Sequence, residues 1–120
     1  QELITASTEN IPLKIVVFNN GNHGMVRQWQ KIFYNNRFSA SELTHHTPDY
    51  VKLAEAMGAV GLRMEQKSEV KDVFEKMLEI NDKPVLVDCV VDPDDMVFPM
   101  VPASGSNDVI ILNEEDLKEL

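Results

Sequence analysis

The sequence predicts an α/β fold: a mostly parallel sheet flanked by helices in three layers. Three apolar runs of strand length, at 13–19, 60–64 and 85–91, alternate with stretches of helical period. That alternation implies parallel βαβ units joined by crossover helices. The run Val85-Leu86-Val87-Asp88-Cys89-Val90-Val91 is almost continuously apolar, the pattern of a central strand covered on both faces. Three strands are few for a doubly wound sheet. The first residues, Gln1-Glu2-Leu3-Ile4-Thr5-Ala6, read as the inside of a helix with no initiator Met before them. Both features lead to the expectation of a sheet truncated at its N-terminal side, a fragment of something longer.

The elements follow in order. Residues 2–9 form a helix that Asn10-Ile11-Pro12 ends, because proline restricts its predecessor and cannot continue the ladder. Ile15, Val16, Val17 and Phe18 make strand 13–19 apolar on both faces. Gly21 and Gly24 mark a turn. From Met25 to about Asn35, the positions Met25, Val26, Trp29, Ile32 and Phe33 fall at helical spacing. Residues 36–48 have no period and read as a loop. Asp49, after Pro48, caps a helix through Tyr50, Val51, Leu53, Ala54 and Met57, and Gly58 closes it. A short strand follows at 60–64. Ser68 and Glu69 start the next helix, whose apolar face carries Val70, Val73, Phe74, Met77 and Leu78. Asp82-Lys83-Pro84 turns the chain into strand 85–91. Val97-Phe98-Pro99-Met100-Val101-Pro102 is apolar but proline-broken, so it lies extended on a surface. Residues 103–107 are flexible by composition. The acidic tail holds a short strand at 109–112 and a helical turn after Asn113.

With 120 residues the chain has the length of one domain, and 43% hydrophobic residues suffice for a core. Eleven basic against 20 acidic residues give a net charge of -9. That balance argues against nucleic acid, which needs a basic face, and against an anionic membrane surface. No apolar run approaches membrane-spanning length. Cys89 is the single cysteine, so an intrachain disulfide is impossible and a reducing compartment is expected. Its place in an apolar strand marks a buried, inert thiol. His23 and the pair His45-His46 show no metal-ligand spacing. Neither a phosphate-binding P-loop, a Gly-x-Gly-x-x-Gly fingerprint nor a Gly-x-Ser-x-Gly elbow occurs in the sequence.

The candidate site is Asn19-Asn20-Gly21-Asn22-His23-Gly24, between a strand and a helix. Asn and Gly punctuate strand ends through positive φ, so turn chemistry alone is one reading. The other is a hard-cation site. Amide and carbonyl oxygens suit Mg²⁺, and the helix that follows can offer free N–H groups to a phosphate. Trp29 is either one more apolar helix position or, one turn beyond such a site, the wall of a pocket.

Taken together, these segments resemble a known family. The segments are Gln1-Glu2-Leu3-x-Thr5-Ala6, Lys14-Ile15-Val16-Val17-x-Asn19-Asn20, Gly24-Met25-Val26-Arg27-Gln28-Trp29-Gln30, Phe33-Tyr34, Arg37-Phe38-Ser39, Pro48-Asp49-Tyr50-Val51-Lys52-Leu53-Ala54-Glu55-Ala56 and Pro99-Met100-Val101-Pro102. In order and spacing they look like the C-terminal end of the acetolactate synthase (acetohydroxyacid synthase) catalytic subunit. The resemblance implies a thiamine-diphosphate-binding domain over 1–96 and an extended arm over 97–120 that covers the active site. It implies that strand 85–91 lies between strands 13–19 and 60–64. The edge of 13–19 is then exposed and prone to self-association.

The resemblance also implies a site. The cofactor is thiamine diphosphate, held through Mg²⁺. The side chain of Asn20 and the backbone carbonyl of Asn22, where relatives often carry an acidic residue, are metal ligands. His23, Gly24 and Met25 lie along the diphosphate and thiazolium. Val26 and Trp29 line the substrate channel, with Trp29 favouring 2-ketobutyrate as second substrate. The Gly-Asp-Gly motif that supplies a further ligand is not among the 120 residues. Nor are the activating glutamate and the region expected to hold FAD. No catalytic side chain is therefore assigned, and the polypeptide alone is expected to be inactive.

For the whole enzyme the resemblance implies carboligation, a transferase reaction. Pyruvate is joined to a second 2-keto acid with loss of CO₂, early in branched-chain amino acid biosynthesis. Expected with it are a homo-oligomer, a regulatory subunit, and a cytoplasmic location, or a plastid one in a plant. The alternatives are a non-catalytic α/β binding or assembly module, or another thiamine-diphosphate enzyme such as a pyruvate oxidase or glyoxylate carboligase. Trp29 and Pro99-Met100-Val101 argue against the latter.

Overall fold

A computed structural model describes residues 1–43, 46–102 and 105–119. Thr44, His45, Ala103, Ser104 and Leu120 of the segments read above lie outside the described residues. The chain divides into two compact units.

The first unit comprises Gln1–Gly21 and Thr44–Asp92. It holds α1 (Glu2–Thr8), β1 (Lys14–Asn19), α3 (Tyr50–Ala56), β2 (Val60–Met64), α4 (Val70–Glu79) and β3 (Val85–Val90). The strands form a parallel sheet in the order β1-β3-β2, so the strongest apolar run is the central strand, as expected. Lys14 pairs with Val85 and Asn19 with Val90 on one side. Val60 pairs with Val85 and Met64 with Cys89 on the other. A side-chain period of two splits β3 between two cores. Val85 and Val87 pack with Met64 and Met77 against Val73 and Phe74 of α4. Leu86 packs with Ala54 and Ala59 against Leu3, Ile15 and Tyr50.

Local chemistry sets the boundaries. Asn10, in the left-handed region at φ 54°, ends α1 before the proline is reached. The Ile11 N–H returns to the Ala6 carbonyl at 2.8 Å, the six-to-one bond of a Schellman stop. Asp49 caps α3, accepting from the Val51 and Lys52 amides. Gly58, at φ 77°, follows its end, and the Ala59 N–H closes back on the Ala54 carbonyl. The entry to α4 differs from expectation. A 3-10 turn, Lys67–Glu69, precedes it, and Gln66 with Glu69 forms the capping box instead of Ser68. The Glu69 carboxylate takes two backbone N–H groups, which outbids a single hydroxyl.

Strand β1 is less covered than its composition suggested. Its residues are half-buried and Phe18 is 74% exposed. The strand occupies the edge of the three-stranded sheet, and α4 packs on β2. Cys89 is half-buried, not fully buried. Burial and the neighbouring Asp88 charge push its thiol up, which disfavours the reactive thiolate.

The second unit comprises Asn22–Leu43 and Pro93–Leu120. Its one α-helix among the described residues is α2 (Gly24–Phe33). The expected strand at 109–112 is reduced to an isolated antiparallel bridge between Met100 and Ile111. A 3-10 turn, Asp116–Glu119, stands where a helical turn was expected.

Candidate functional site

The strand-end segment straddles the two units. Asn19, Asn20 and Gly21 belong to the first, and Asn22 onward to the second. In the first, Asn19 closes β1 and its side-chain oxygen accepts the Gly21 N–H at 3.0 Å. This is an Asx turn, and Gly21 sits at φ 65°. The turn-chemistry reading is therefore correct for Asn19. Asn20 is half-buried.

In the second unit, Asn22 is half-buried, with its amide oxygen shielded from solvent, and bridges Glu42. His23 is exposed and stands at the N-cap of α2, where its side chain makes no capping bond. Its backbone N–H donates to the Ser41 carbonyl at 2.8 Å. Gly24 and Met25 open the helix.

Helix α2 inverts the usual rule. Its helical spacing left open whether the apolar positions face a core or a pocket. Met25 is 55% exposed, Val26 50% and Trp29 36%, while the buried residue is Gln28. The physical reason is the polar side chains. Gln28 accepts the Val97 N–H at 2.8 Å and donates to the Val97 carbonyl at 3.1 Å. Arg27 stacks on Phe38 at 4.0 Å and pairs with Glu42 and Asp94 at 2.9 Å each. Gln30 bonds both backbone groups of Ser39 and the Ser41 hydroxyl. Three polar residues thus hold one loop and the 93–97 segment, and a satisfied buried amide is tolerated where an orphan is not. Sequence reasoning missed all three. Their crowding between apolar positions was the available signal.

The released apolar face lines a cleft of about 680 Å³ with Met25, Val26, Trp29, Tyr34 and Arg37. Trp29 is steadied edge-on by Phe33, with centroids 5.6 Å apart. A contiguous exposed apolar wall with one guanidinium at hand is the usual character of a ligand surface.

The polar atoms that this segment offers are amide and carbonyl oxygens, the class that a hard divalent cation takes. Among the described residues, no group of three His, Cys, Asp or Glu could hold a metal. Asn20, in the first unit, and Asn22, in the second, each carry oxygens of the kind that Mg²⁺ accepts. Among the described residues no helix is long and apolar enough to cross a membrane.

A parallel α/β sheet whose edge strand ends in an Asx turn, followed along the chain by a helix with an outward apolar face, defines a cofactor-binding α/β domain. The chain belongs to the family of thiamine pyrophosphate enzymes, as their C-terminal TPP binding domain, whose model matches residues 1–89. It is 52% identical over 113 residues to an acetolactate synthase of Mycobacterium bovis, covering 92% of this chain and 18% of that protein. It is 47% identical over 110 residues to the acetolactate synthase large subunit of Corynebacterium glutamicum, covering 89% of this chain and 18% of that protein. To the mitochondrial acetolactate synthase catalytic subunit of Aspergillus candidus it is 37% identical, covering 98% of this chain and 17% of that protein. The chain thus spans less than a fifth of the length of these curated relatives. Among solved structures it is similar to the thiamine diphosphate-dependent 4-hydroxybenzoylformate decarboxylase of Rhodococcus jostii RHA1. There the TM-score is 0.66 at 26% identity, covering 78% of this chain and 17% of that one.

Proposed function

We propose that this chain is part of the thiamine-diphosphate-binding region of an acetolactate synthase large subunit. The whole enzyme would join pyruvate to a second 2-keto acid with loss of CO₂. The observation that carries the reading is the inverted helix α2, which turns Met25, Val26 and Trp29 outward onto a cleft. An exposed apolar face of this kind marks a contact surface, and a ligand is the occupant that this reading gives it. Family membership and the acetolactate synthases at 47–52% identity support the choice of reaction.

In this reading the Asn20 side chain and the Asn22 carbonyl are two of the oxygen ligands of Mg²⁺, and the remainder come from outside these 120 residues. His23, Gly24 and Met25 run along the diphosphate. Bound thiamine diphosphate supplies the carbanion chemistry, and the protein supplies binding, orientation and a dry pocket. Val26 and Trp29 form the apolar wall against which the second keto acid is chosen, with 2-ketobutyrate preferred. FAD, a homo-oligomer, a regulatory subunit, and a cytoplasmic or plastid location belong to the same proposal.

The test is Asn20→Ala in the enzyme that carries this chain. Loss of one metal ligand raises the dissociation constant of Mg²⁺–thiamine diphosphate by about tenfold or more, since charge-assisted contacts contribute roughly 1.5–3 kcal/mol. Calorimetric titration checks it. Unchanged affinity refutes the metal assignment. A separate Trp29→Leu variant should lose preference for 2-ketobutyrate over pyruvate in product analysis.

A further inference from the structure

The carboxylate of Asp88 lies in the middle of an apolar strand, 1% exposed, and no role in the reading above uses it. Its face of the sheet explains its place. Register puts Val17 and Arg63 opposite it on the flanking strands. One oxygen accepts from the Asn19 side-chain NH₂ at 2.9 Å and the other from Arg63 Nε at 3.0 Å. Arg63 in turn reaches Asp49, the cap of α3, at 3.2 Å. A polar chain therefore runs from the α3 cap through Arg63 and Asp88 to Asn19, and ends at the Gly21 N–H. Every member lies in the first unit.

The chain has a direction. A carboxylate only accepts, and a backbone N–H only donates. Between them the Asn19 amide has one workable orientation: NH₂ toward Asp88, oxygen toward Gly21. A solvent-facing Asn could invert its amide and release the turn. Asp88 forbids the inversion. Asn20 is the middle residue of that turn.

We infer that Asp88 is a positioning residue of the cofactor site: by orienting Asn19, it locks the Asx turn that presents Asn20. The inference rests on the reading of Asn20 as a metal ligand. It concerns geometry and not charge at the metal. Asp88→Asn keeps the volume and can still accept from Arg63. It then presents an NH₂ to Asn19, which must turn its oxygen inward and face Gly21 with a donor. Asn19→Asp keeps the turn acceptor but sets carboxylate against carboxylate. The exchanged pair, Asn19→Asp with Asp88→Asn, restores every bond. Asn at 88 accepts from Arg63 and donates to Asp at 19, which accepts from Gly21.

The experiment uses the complete enzyme that carries this chain. Mg²⁺ is titrated calorimetrically at saturating thiamine diphosphate, and melting is followed without metal or cofactor. Each single variant should raise the Mg²⁺ dissociation constant by about five- to tenfold, the equivalent of one hydrogen bond. The exchanged pair should return it to within about twofold of the parent. A merely structural role would lower melting and leave Mg²⁺ affinity of the folded protein unchanged. Wild-type affinity in both folded single variants, or an exchanged pair as weak as either single, overturns the inference. Should a single variant fail to fold, the exchanged pair decides by the same criterion. Asn20→Ala, run alongside, separates the two claims. If it leaves Mg²⁺ affinity unchanged, the metal reading fails. If it weakens binding while the Asp88 and Asn19 variants do not, only the positioning role fails.

Discussion

Replacing Gln28 by Leu should detach the 97–100 segment from α2 without opening a cavity. Leu has nearly the volume of Gln, so the buried site stays filled. What is lost is a two-point clamp: the Val97 N–H to Gln28 Oε1 bond at 2.8 Å and the Gln28 Nε2 to Val97 carbonyl bond at 3.1 Å. A weaker contact from Nε2 to Met100 Sδ at 3.2 Å goes with them. Each amide bond contributes about 1 kcal/mol net. Val97 is 64% exposed, so water re-satisfies its freed groups and the full desolvation penalty does not apply. The expected loss is therefore about 2 kcal/mol in the attachment of the segment, or roughly a thirtyfold rise in its detached population. Amide hydrogen exchange reads this directly. The Val97 N–H should exchange about thirtyfold faster, while the β3 amides at Val85 and Val87 stay unchanged. Unaltered exchange at Val97 refutes the clamp. Equal acceleration at Val85 refutes its local character.

Gly61→Ala tests the close approach of α3 to β2. An added Cβ would stand 2.6 Å from the Val51 carbonyl oxygen and 2.8 Å from its Cα. Backbone cannot yield as a side-chain tip does, so the variant should lose about 3 kcal/mol and show a lower denaturant midpoint; an unchanged midpoint contradicts the packing. Acid should loosen the second unit by a defined route. The Arg27 guanidinium bonded to Asp94 holds that carboxyl below its usual range. Its folded value is depressed, so the contact is fully present above the ordinary carboxylate value of about 3.9 and is lost as pH falls through the lower folded value. A carbon-13 titration of Asp94 with a midpoint at or above about 3.9 would refute the pairing.

The parts of this molecule legible in the sequence are those that local chemistry writes down. The three strands announce themselves as apolar runs, because a strand covered by helices has no polar side to spare. Asp49 and Gly58 mark both ends of α3, because an orphan N–H and a left-handed turn each select few residue types. The Asn-Gly cluster at 19–24 was visible as a ligand site or a turn, and Asn19 is the turn. What the sequence left open or misjudged shares one cause. The 3.6-residue period of α2 located its apolar stripe but could not say which side faces a core. Gln28 reads as solvent-facing until Val97, 69 residues later, brings it two backbone partners. Phe18 reads as covered because composition does not count the helices on each strand. Asp88 reads as an interruption until Asn19 and Arg63 arrive from neighbouring strands.

By itself, then, the sequence determined the order, type and approximate ends of the elements, and the family resemblance, which implied the central place of strand 85–91. Those properties depend on residues close along the chain, where spacing and side-chain chemistry are already present. The tertiary structure alone decided which polar groups are buried, what holds α2 in place, and how Asp88 joins the α3 cap to the turn that contains Asn20. A buried amide or carboxylate is permitted only by partners that fold into reach, and those partners are 25 to 69 residues away.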